Sequence, residues 1–514
     1  MERVRFGGLS DLTVDAVGRH AARTRSDRIA LDDGEVRLTY VQMTGAVDAV
    51  ATSLRDMGVR KGQVVSAYLP NCIEYVVTVL AVARAGAVFS PLNPRFKAGE
   101  LKPILAQARP SVVFVGPERI AMLREALAAG CHDARIVCCG DDPLGTAVPW
   151  QDLLARRPEE PGSVSETDFF SLMFTSGTTG VPKGALATHK ARMIWVLNAC
   201  ILYSLSETDA YAGVMPMVHS AGLTFTLMHL YVGGTVHILR EFTPEAYLDL
   251  LERARITSSL VVPTMLVMTL EAQRRSSRSY DLSSLKRLVT CGSPLQLSTK
   301  QQVLTRITDR LYDYYGSTES NSMSVLKPEE QLRKPMSVGQ PFPNVEIRIA
   351  DENGALLPPG KCGEVWCRNP SLMTCYLDNP EATGAAISDG WFRTGDLGAL
   401  DDEGFLTLAG RKGDMIISGG VNIYPAEIEN LLMGHPAVLD CAVLGEPDPK
   451  WGQRVVAFVV PRAGQEIGLE ALQQFCADTL ADYKKPRRLE ILDAIPKNAG
   501  GKTIKAELAK RLGQ

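Results

Sequence analysis

The chain carries no strong field of either sign. Its 55 lysines and arginines nearly balance 58 aspartates and glutamates, for a net charge of −3, so nothing draws nucleic acid or anionic lipid to the surface as a whole. The densest basic cluster, KKPRR at 484–488, reads as a solvated face or linker. None of the eleven cysteines stands in a CxxC pair or in a Cys/His cluster with zinc spacing. Scattered thiols in a long chain predict free, mostly buried cysteines in a reducing compartment. The start, MERVRFGGLSDLTVD, lacks the apolar stretch of a signal peptide. The most apolar windows, YVVTVLAVARAGAVFSPL and SSLVVPTMLVMTL, are interrupted by Arg84 or too short to span a bilayer. Together these absences predict a cytoplasmic protein with no transmembrane segment and no nucleic-acid partner. Internal repeats and low-complexity tracts are also missing. So are several common site signatures: there is no GxGxxG after a strand and no HExxH, and VHSAG has Val218 where a GxSxG elbow needs glycine.

What the chain does have is length and alternation. Its 514 residues exceed one hydrophobic core and predict two to four structural units, at roughly 100–200 residues per domain. TYVQMTGAVDAVATSLRDMG is an amphipathic helix ending at Gly58, QVVSAYL a strand, CIEYVVTVLAVARAG a helix and AVFSPL a strand. AGELKPILAQAR and SVVFVG continue the rhythm, which recurs around DAYAGVMP, TVHIL, SSLVVP and RLVTCG. This alternation predicts an α/β fold with largely parallel, buried strands. From about residue 340 the texture changes: VEIRIADENGALLPPGKCGEVWCRN has alternating strands broken by Asn-Gly and Pro-Pro-Gly turns, an antiparallel β subdomain. RKGDMIISGGVNIYPAEIENLL then opens a smaller α+β unit, placing a large domain at 1–410 and a small one at 411–514.

One loop concentrates chemistry. In FTSGTTGVPKGA, Thr175, Ser176, Thr178 and Thr179 supply hydroxyls, Gly177, Gly180 and Gly184 let backbone N–H groups approach an anion, and Lys183 adds a point charge. That is the composition of a polyphosphate cradle. It is not a Walker A loop, because Pro182 stands where the second glycine would be. The alternative reading, a plain surface turn, leaves the lysine at its fixed end unexplained.

FTSGTTGVPKGA resembles the phosphate-binding loop of the AMP-forming acyl-adenylating family, which includes acyl-CoA synthetases, firefly-type luciferases and nonribosomal-peptide adenylation domains. Four further stretches resemble that family's motifs in the same order: YYGSTES (314–320), WFRTGDLG (391–398), GRKGDMIISGGVNIYPAEIE (410–429) and PKNAGGKTIKAEL (496–508). The matches span residues 171 to 508, and five in order are far more specific than one. The resemblance implies a two-step ligase. A carboxylate attacks the α-phosphorus of ATP with loss of pyrophosphate, and the thiol of coenzyme A then displaces AMP. It implies that the loop from Thr175 to Lys183 holds the β- and γ-phosphates, that Thr318 contacts the α-phosphate, and that Glu319 holds Mg²⁺. Tyr315 would stack on adenine, Asp313 meet its amino edge, and the CGSPL turn with Gly292 and Ser293 pass alongside adenine and substrate. Asp396, assisted by Arg411, would accept the ribose hydroxyls. Lys502 would deliver a cation to the developing charge of the first step. The small domain would then turn about the Arg411 region, withdrawing Lys502 and bringing Gly419 and Gly420 to the pantetheine arm.

One position departs from the pattern. Many relatives carry Asp or Lys two residues after the motif arginine; this chain has Gly413, which permits the turn but supplies no polar contact to bias it. His219 stands where the family places the carboxylate end of its acyl pocket. Ser220, Ala221 and Gly222 beside it leave room, with Ser320, Asn321 and Val261–Pro263 as further candidate walls. The small side chains suit a medium-chain, cyclic or aromatic acid, and no nearby arginine awaits a second carboxylate, which disfavours a dicarboxylate such as malonate. Two other readings stand beside the CoA ligase: an adenylation enzyme that loads a carrier protein, and a non-catalytic adenylate-binding relative. The absence of an acid after His219 disfavours amino-acid substrates, and the retained Glu319, Asp396, Arg411 and Lys502 disfavour loss of catalysis. Relatives are monomers or homodimers.

Overall fold

The computed structural model describes residues 12–130, 133–157, 159, 162–175, 182–418, 421–477, 479–497 and 503–512. Four sheets form among them. The first has eight strands. Its centre is parallel (Val88–Pro91, Val64–Tyr68, Val112–Val115, Arg135–Cys138), and its far edge turns antiparallel through the hairpin Phe169–Thr175 and Lys183–Thr188. The second has nine strands, parallel from Ala210–Gly213 through Ser258–Val261 and Arg287–Thr290 to Leu311–Ser317. Beyond it the antiparallel Asn321–Leu326 and then Gln340–Pro341 complete that side. The α/β alternation of the sequence thus gives two mixed sheets, and each antiparallel hairpin carries one of the motifs above.

The helices obey their patterns. Tyr40–Asp56 starts where Thr39 and Gln42 form a reciprocal capping box. Ile73–Arg84 and Ser220–Val232 bury residues on every side, the mark of a helix enclosed in a core rather than laid on a surface. One hydrophobic cluster runs through both helices and both sheets.

The antiparallel subdomain is the third sheet: Glu346–Ala350, Gly363–Arg368, Trp391–Leu400, Leu406–Arg411 and Ile387–Ser388. Arg411 is its last residue, and the fourth sheet begins at Ile416. That sheet centres on the long hairpin Val438–Asp448 and Gly452–Pro461. Alternate residues feed two separate cores: Val443, Val455 and Val459 on one face, Leu444, Val456 and Phe458 on the other. No helix among the described residues is long and apolar enough to cross a membrane. The ten described cysteines are free, six of them buried.

Candidate active site

In the nine-stranded sheet the parallel strands Ser258–Val261, Arg287–Thr290 and Leu311–Ser317 run side by side. Their carboxyl ends release Val262 and Pro263, the Cys291–Leu295 turn, and Tyr315–Ser320 along one edge. In open α/β sheets this is the edge where ligands bind. Gly292 takes φ +91°, a left-handed conformation that suits glycine, and is exposed; Ser293 is half-buried beside it.

The segment holding Thr318 and Glu319 is a tight turn. Ser317 and Ser320 tie it reciprocally: each backbone N–H donates to the other's hydroxyl at 3.1 Å. Gly316 precedes it at a break in register, and a Cβ there would sit 2.0 Å from the Asn321 carbonyl oxygen. Only glycine allows that approach. The fully buried Ser320 hydroxyl also lies within reach of the Asn321 carbonyl oxygen at 3.2 Å, so its function visible here is to shape the turn. Glu319 accepts a hydrogen bond at Oε1 from the Tyr376 hydroxyl at 3.0 Å. The ring of Tyr376 lies 5.5 Å from the Lys183 ammonium.

Lys183 opens the second strand of the phosphate-loop hairpin, directly across from Thr175, whose hydroxyl donates to the Lys183 carbonyl at 3.4 Å. The hairpin therefore fixes both ends of the loop, and Tyr376 joins its lysine to the glutamate of the other motif. Ser176, Gly177, Thr178 and Thr179 lie outside the described residues, as do Gly419, Gly420 and Lys502.

A second cluster forms around Asp396. It pairs across the strands with Arg411, whose Nε lies 3.1 Å from Oδ1. The Tyr315 hydroxyl donates to Oδ2 at 2.5 Å. Burial, and then the neighbouring Asp396, hold the Tyr315 phenol well above its ordinary range, so it remains a donor. Each carboxylate oxygen keeps lone-pair capacity for a further donor, which is what a pair of ribose hydroxyls requires. Asp313, two residues before Tyr315 on the same strand, is buried and its carboxyl is pushed up to about 7 by burial, partly opposed by Lys300.

The third cluster is the His219 corner. His219 precedes the helix Ser220–Val232, and Gly222 lets the first turn close on Pro216: a Cβ would meet its carbonyl oxygen at 2.6 Å. Nε2 of His219 has no partner among the described residues. Burial, then the charge of Arg95, lower its pKa, so the ring is neutral at neutral pH. Ser220 is buried, accepts from Arg192 Nη1 at 2.8 Å and donates to Asn321 Oδ1 at 3.4 Å. The expectation of no arginine near His219 considered sequence neighbours alone; the fold brings Arg95 and Arg192 to this corner.

The described residues Thr175, Lys183, Glu319, Tyr315, Asp396 and Arg411 thus fall into linked contacts, while Gly292, Ser293, Asp313, Thr318, His219, Ser220 and Ser320 flank them. Tyr376 and Arg192 were not singled out from sequence. Tyr376 follows Glu319 by 57 positions, and only the pairing of Cys375–Tyr376 with the loop hairpin brings it back. Arg192 stood in a plain helix pattern, where an arginine reads as surface. The residues present suit a magnesium nucleotide: a half-buried carboxylate at Glu319, a cation at Lys183 and a two-oxygen acceptor at Asp396.

Likeness to known proteins identifies the family to which the chain belongs. The AMP-binding enzyme family matches residues 18–377, and the AMP-binding enzyme C-terminal domain matches residues 427–502; the chain belongs to the AMP-binding enzymes. It is 37% identical to an indoleacetate–CoA ligase of Aromatoleum aromaticum, over 96% of each chain. It is also 37% identical to a feruloyl-CoA synthase of an Amycolatopsis species, over 96% of this chain and 97% of that one. Among solved structures it is similar to ATP-bound MatB from Rhodopseudomonas palustris, with a TM-score of 0.88, 28% identity and coverage of 98% and 99%. A second is MenE from Bacillus subtilis with its acyl-adenylate, with a TM-score of 0.85, 28% identity and coverage of 96% and 97%.

Proposed function

We propose that the chain is an AMP-forming carboxylate–CoA ligase acting on an aromatic or cyclic acid. The observation that carries the reading is that two clusters, Lys183–Tyr376–Glu319 and Tyr315–Asp396–Arg411, meet on one short segment, residues 315–319. In the first step a carboxylate oxygen of the acid bonds to the α-phosphorus of ATP, and the bond to the β-phosphate bridge breaks to release pyrophosphate. Negative charge gathers at phosphorus, so fixed cations and donors lower the barrier. Lys183 and the loop hydroxyls hold the outer phosphates, Thr318 meets the α-phosphate, and Lys502 supplies the cation for the developing charge. Glu319 would hold a magnesium ion, which neutralises phosphate charge when bound. Asp396 and Arg411 hold the ribose, and Tyr315 and Asp313 flank the adenine. In the second step the sulfur of CoA bonds to the acyl carbon, AMP leaves, and the thiol proton passes to solvent.

The relatives named for indoleacetate and ferulate act on acids with aromatic rings; with the small side chains after His219, they support the same class here. The segment Lys412–Asp414 serves as the hinge between a large domain, 1–410, and a small one, 411–514. Gly413 has nothing within 4 Å of where a Cβ would be, so it turns without steric resistance. Pyrophosphate release with ATP and Mg²⁺, measured across aliphatic, cyclic and aromatic acids with and without CoA, tests the reading. Release with an aromatic or cyclic acid, strongly raised by CoA, is the expected result. Release indifferent to CoA moves the chain to carrier-protein loading, the activity named for one 31% identical relative. ATP binding with no release from any acid overturns the ligase.

A further inference from the structure

Three arginines are buried among the described residues: Arg84, Arg192 and Arg287. Two have a carboxylate. Arg84 pairs with Asp48, and Arg287 with Asp209 at 2.7 Å. Arg192 has none among the described residues. It is 1% exposed and stands on the helix His189–Leu202. Its Nη1 donates to the Ser220 and Thr224 hydroxyls at 2.8 and 2.7 Å, and its Nη2 to Ser171 at 3.3 Å. Its Nε has no acceptor among the described residues, and the guanidinium carbon lies 5.3 Å from the Trp195 ring centre. Hydroxyls satisfy N–H groups but do not neutralise a charge, and an uncompensated buried charge is unfavourable. Burial pushes the Arg192 pKa down only to about 10, so it stays charged at neutral pH. A methionine or leucine would fill the same space without that penalty.

The location of the charge supplies a reason for it. Ser220, held by Arg192, is the first residue of the helix Ser220–Val232, whose amino end has no side-chain cap and carries partial positive charge. Before it stands neutral His219 with an unpartnered Nε2, with Arg95 near enough to lower its pKa. Ser220 also reaches Asn321 at 3.4 Å, the residue after the 317–320 turn that carries Thr318 and Glu319. The charged side chains that the described residues bring to this corner, Arg192 and Arg95, are both cations, the helix end adds partial charge of the same sign, and the complementary partner is an anion. We propose that Arg192 is a positioning residue that, through Ser220 and its own field, draws the ionised carboxylate of the acid substrate to the His219 corner. The inference rests on the ligase reading, and it assigns the corner a preference for the ionised acid over neutral molecules of the same shape.

The test compares dissociation constants for the best acid and for its primary amide, by calorimetry with saturating AMP, in wild type, Arg192→Met and Arg192→Lys. The wild type is expected to prefer the acid by about tenfold or more, the equivalent of ~1.4 kcal/mol. In Arg192→Met the acid weakens by about tenfold while the amide holds within about twofold, and Arg192→Lys recovers most of the loss, because charge and not shape is at stake. KM for ATP stays near the wild-type value in both variants. Equal loss of acid and amide in Arg192→Met would mean a packing role only and overturn the inference; so would an unchanged acid affinity. Should Arg192→Met not fold, the wild-type measurement still decides, since equal binding of acid and amide refutes the proposal. A wild-type protein that forms no acyl-CoA and binds no acid overturns the ligase reading as well, whereas one that turns over acid without preferring it to the amide overturns this inference alone.

Discussion

Tyr376→Phe removes one oxygen and leaves the ring. In the wild type that oxygen donates to Glu319 Oε1 at 3.0 Å, while the ring sits 5.5 Å from the Lys183 ammonium. The variant therefore keeps the packing and the cation contact and deletes a single neutral donor to a carboxylate. A hydrogen bond to a charged group contributes ~1.5–3 kcal/mol. Glu319 is half-exposed, so water replaces part of the loss, and about 1 kcal/mol is the expected remainder. That corresponds to about a fivefold rise in KM for magnesium-ATP, with a matching rise in the magnesium needed for half-maximal rate. KM for the acid should not move, because its candidate wall lies at His219. Burial, then Glu319, keep the Tyr376 phenol far above its ordinary range, so the effect should be constant from pH 6 to 9. Initial rates of pyrophosphate release against ATP, magnesium and acid give all three parameters. An unchanged KM for ATP would refute the claim that Tyr376 orients Glu319. Equal loss on every substrate, with a lower melting temperature, would reduce Tyr376 to a packing residue.

Further perturbations test other parts of the structure. Asp313 ionises near pH 7 in the fold against 3.8 ordinarily, so between those values the unfolded chain releases a proton that the fold retains; stability falls as pH rises through that window and is flat above it. Asp313→Asn should abolish that decline, gaining on the order of 3 kcal/mol at pH 8 relative to wild type and almost nothing at pH 4, read from urea unfolding at both pH values. Arg287→Met leaves Asp209, 1% exposed, without its 2.7 Å partner, and should destabilise the large domain by about 3 kcal/mol in the same assay. Gly316→Ala places a Cβ 2.0 Å from the Asn321 carbonyl oxygen and must displace the Thr318–Glu319 turn. Its kcat/KM for ATP should fall on the order of a hundredfold with the circular dichroism spectrum intact. Gly413→Lys has open space for its side chain and should fold normally while changing the ratio of adenylation to thioester-forming rates in single-turnover experiments; an unchanged ratio would remove Gly413 from the hinge.

The sequence alone determined the α/β alternation, the antiparallel texture after residue 340 and the family, because these are written in short-range patterns. Strand and helix periods, turn residues and five ordered motifs each occupy a few consecutive positions. It likewise identified Asp396 and Arg411 as partners in one task, and the fold joins them as a cross-strand pair. Contacts between motifs were decided by tertiary structure. Tyr376 reaches Glu319 only because a two-residue strand, Cys375–Tyr376, adds to the edge of the phosphate-loop hairpin; nothing in CYLDN announces a pairing partner almost two hundred residues earlier. Arg192 looks in sequence like any helical arginine, and its 1% exposure arises from the packing of three elements, Phe169–Thr175, His189–Leu202 and Ser220–Val232, around it. The Asp313 carboxyl, too, owes its raised pKa to burial within the nine-stranded sheet. Periodicity records which face of an element is apolar, whereas the solvation of a charge depends on what the rest of the chain places over it.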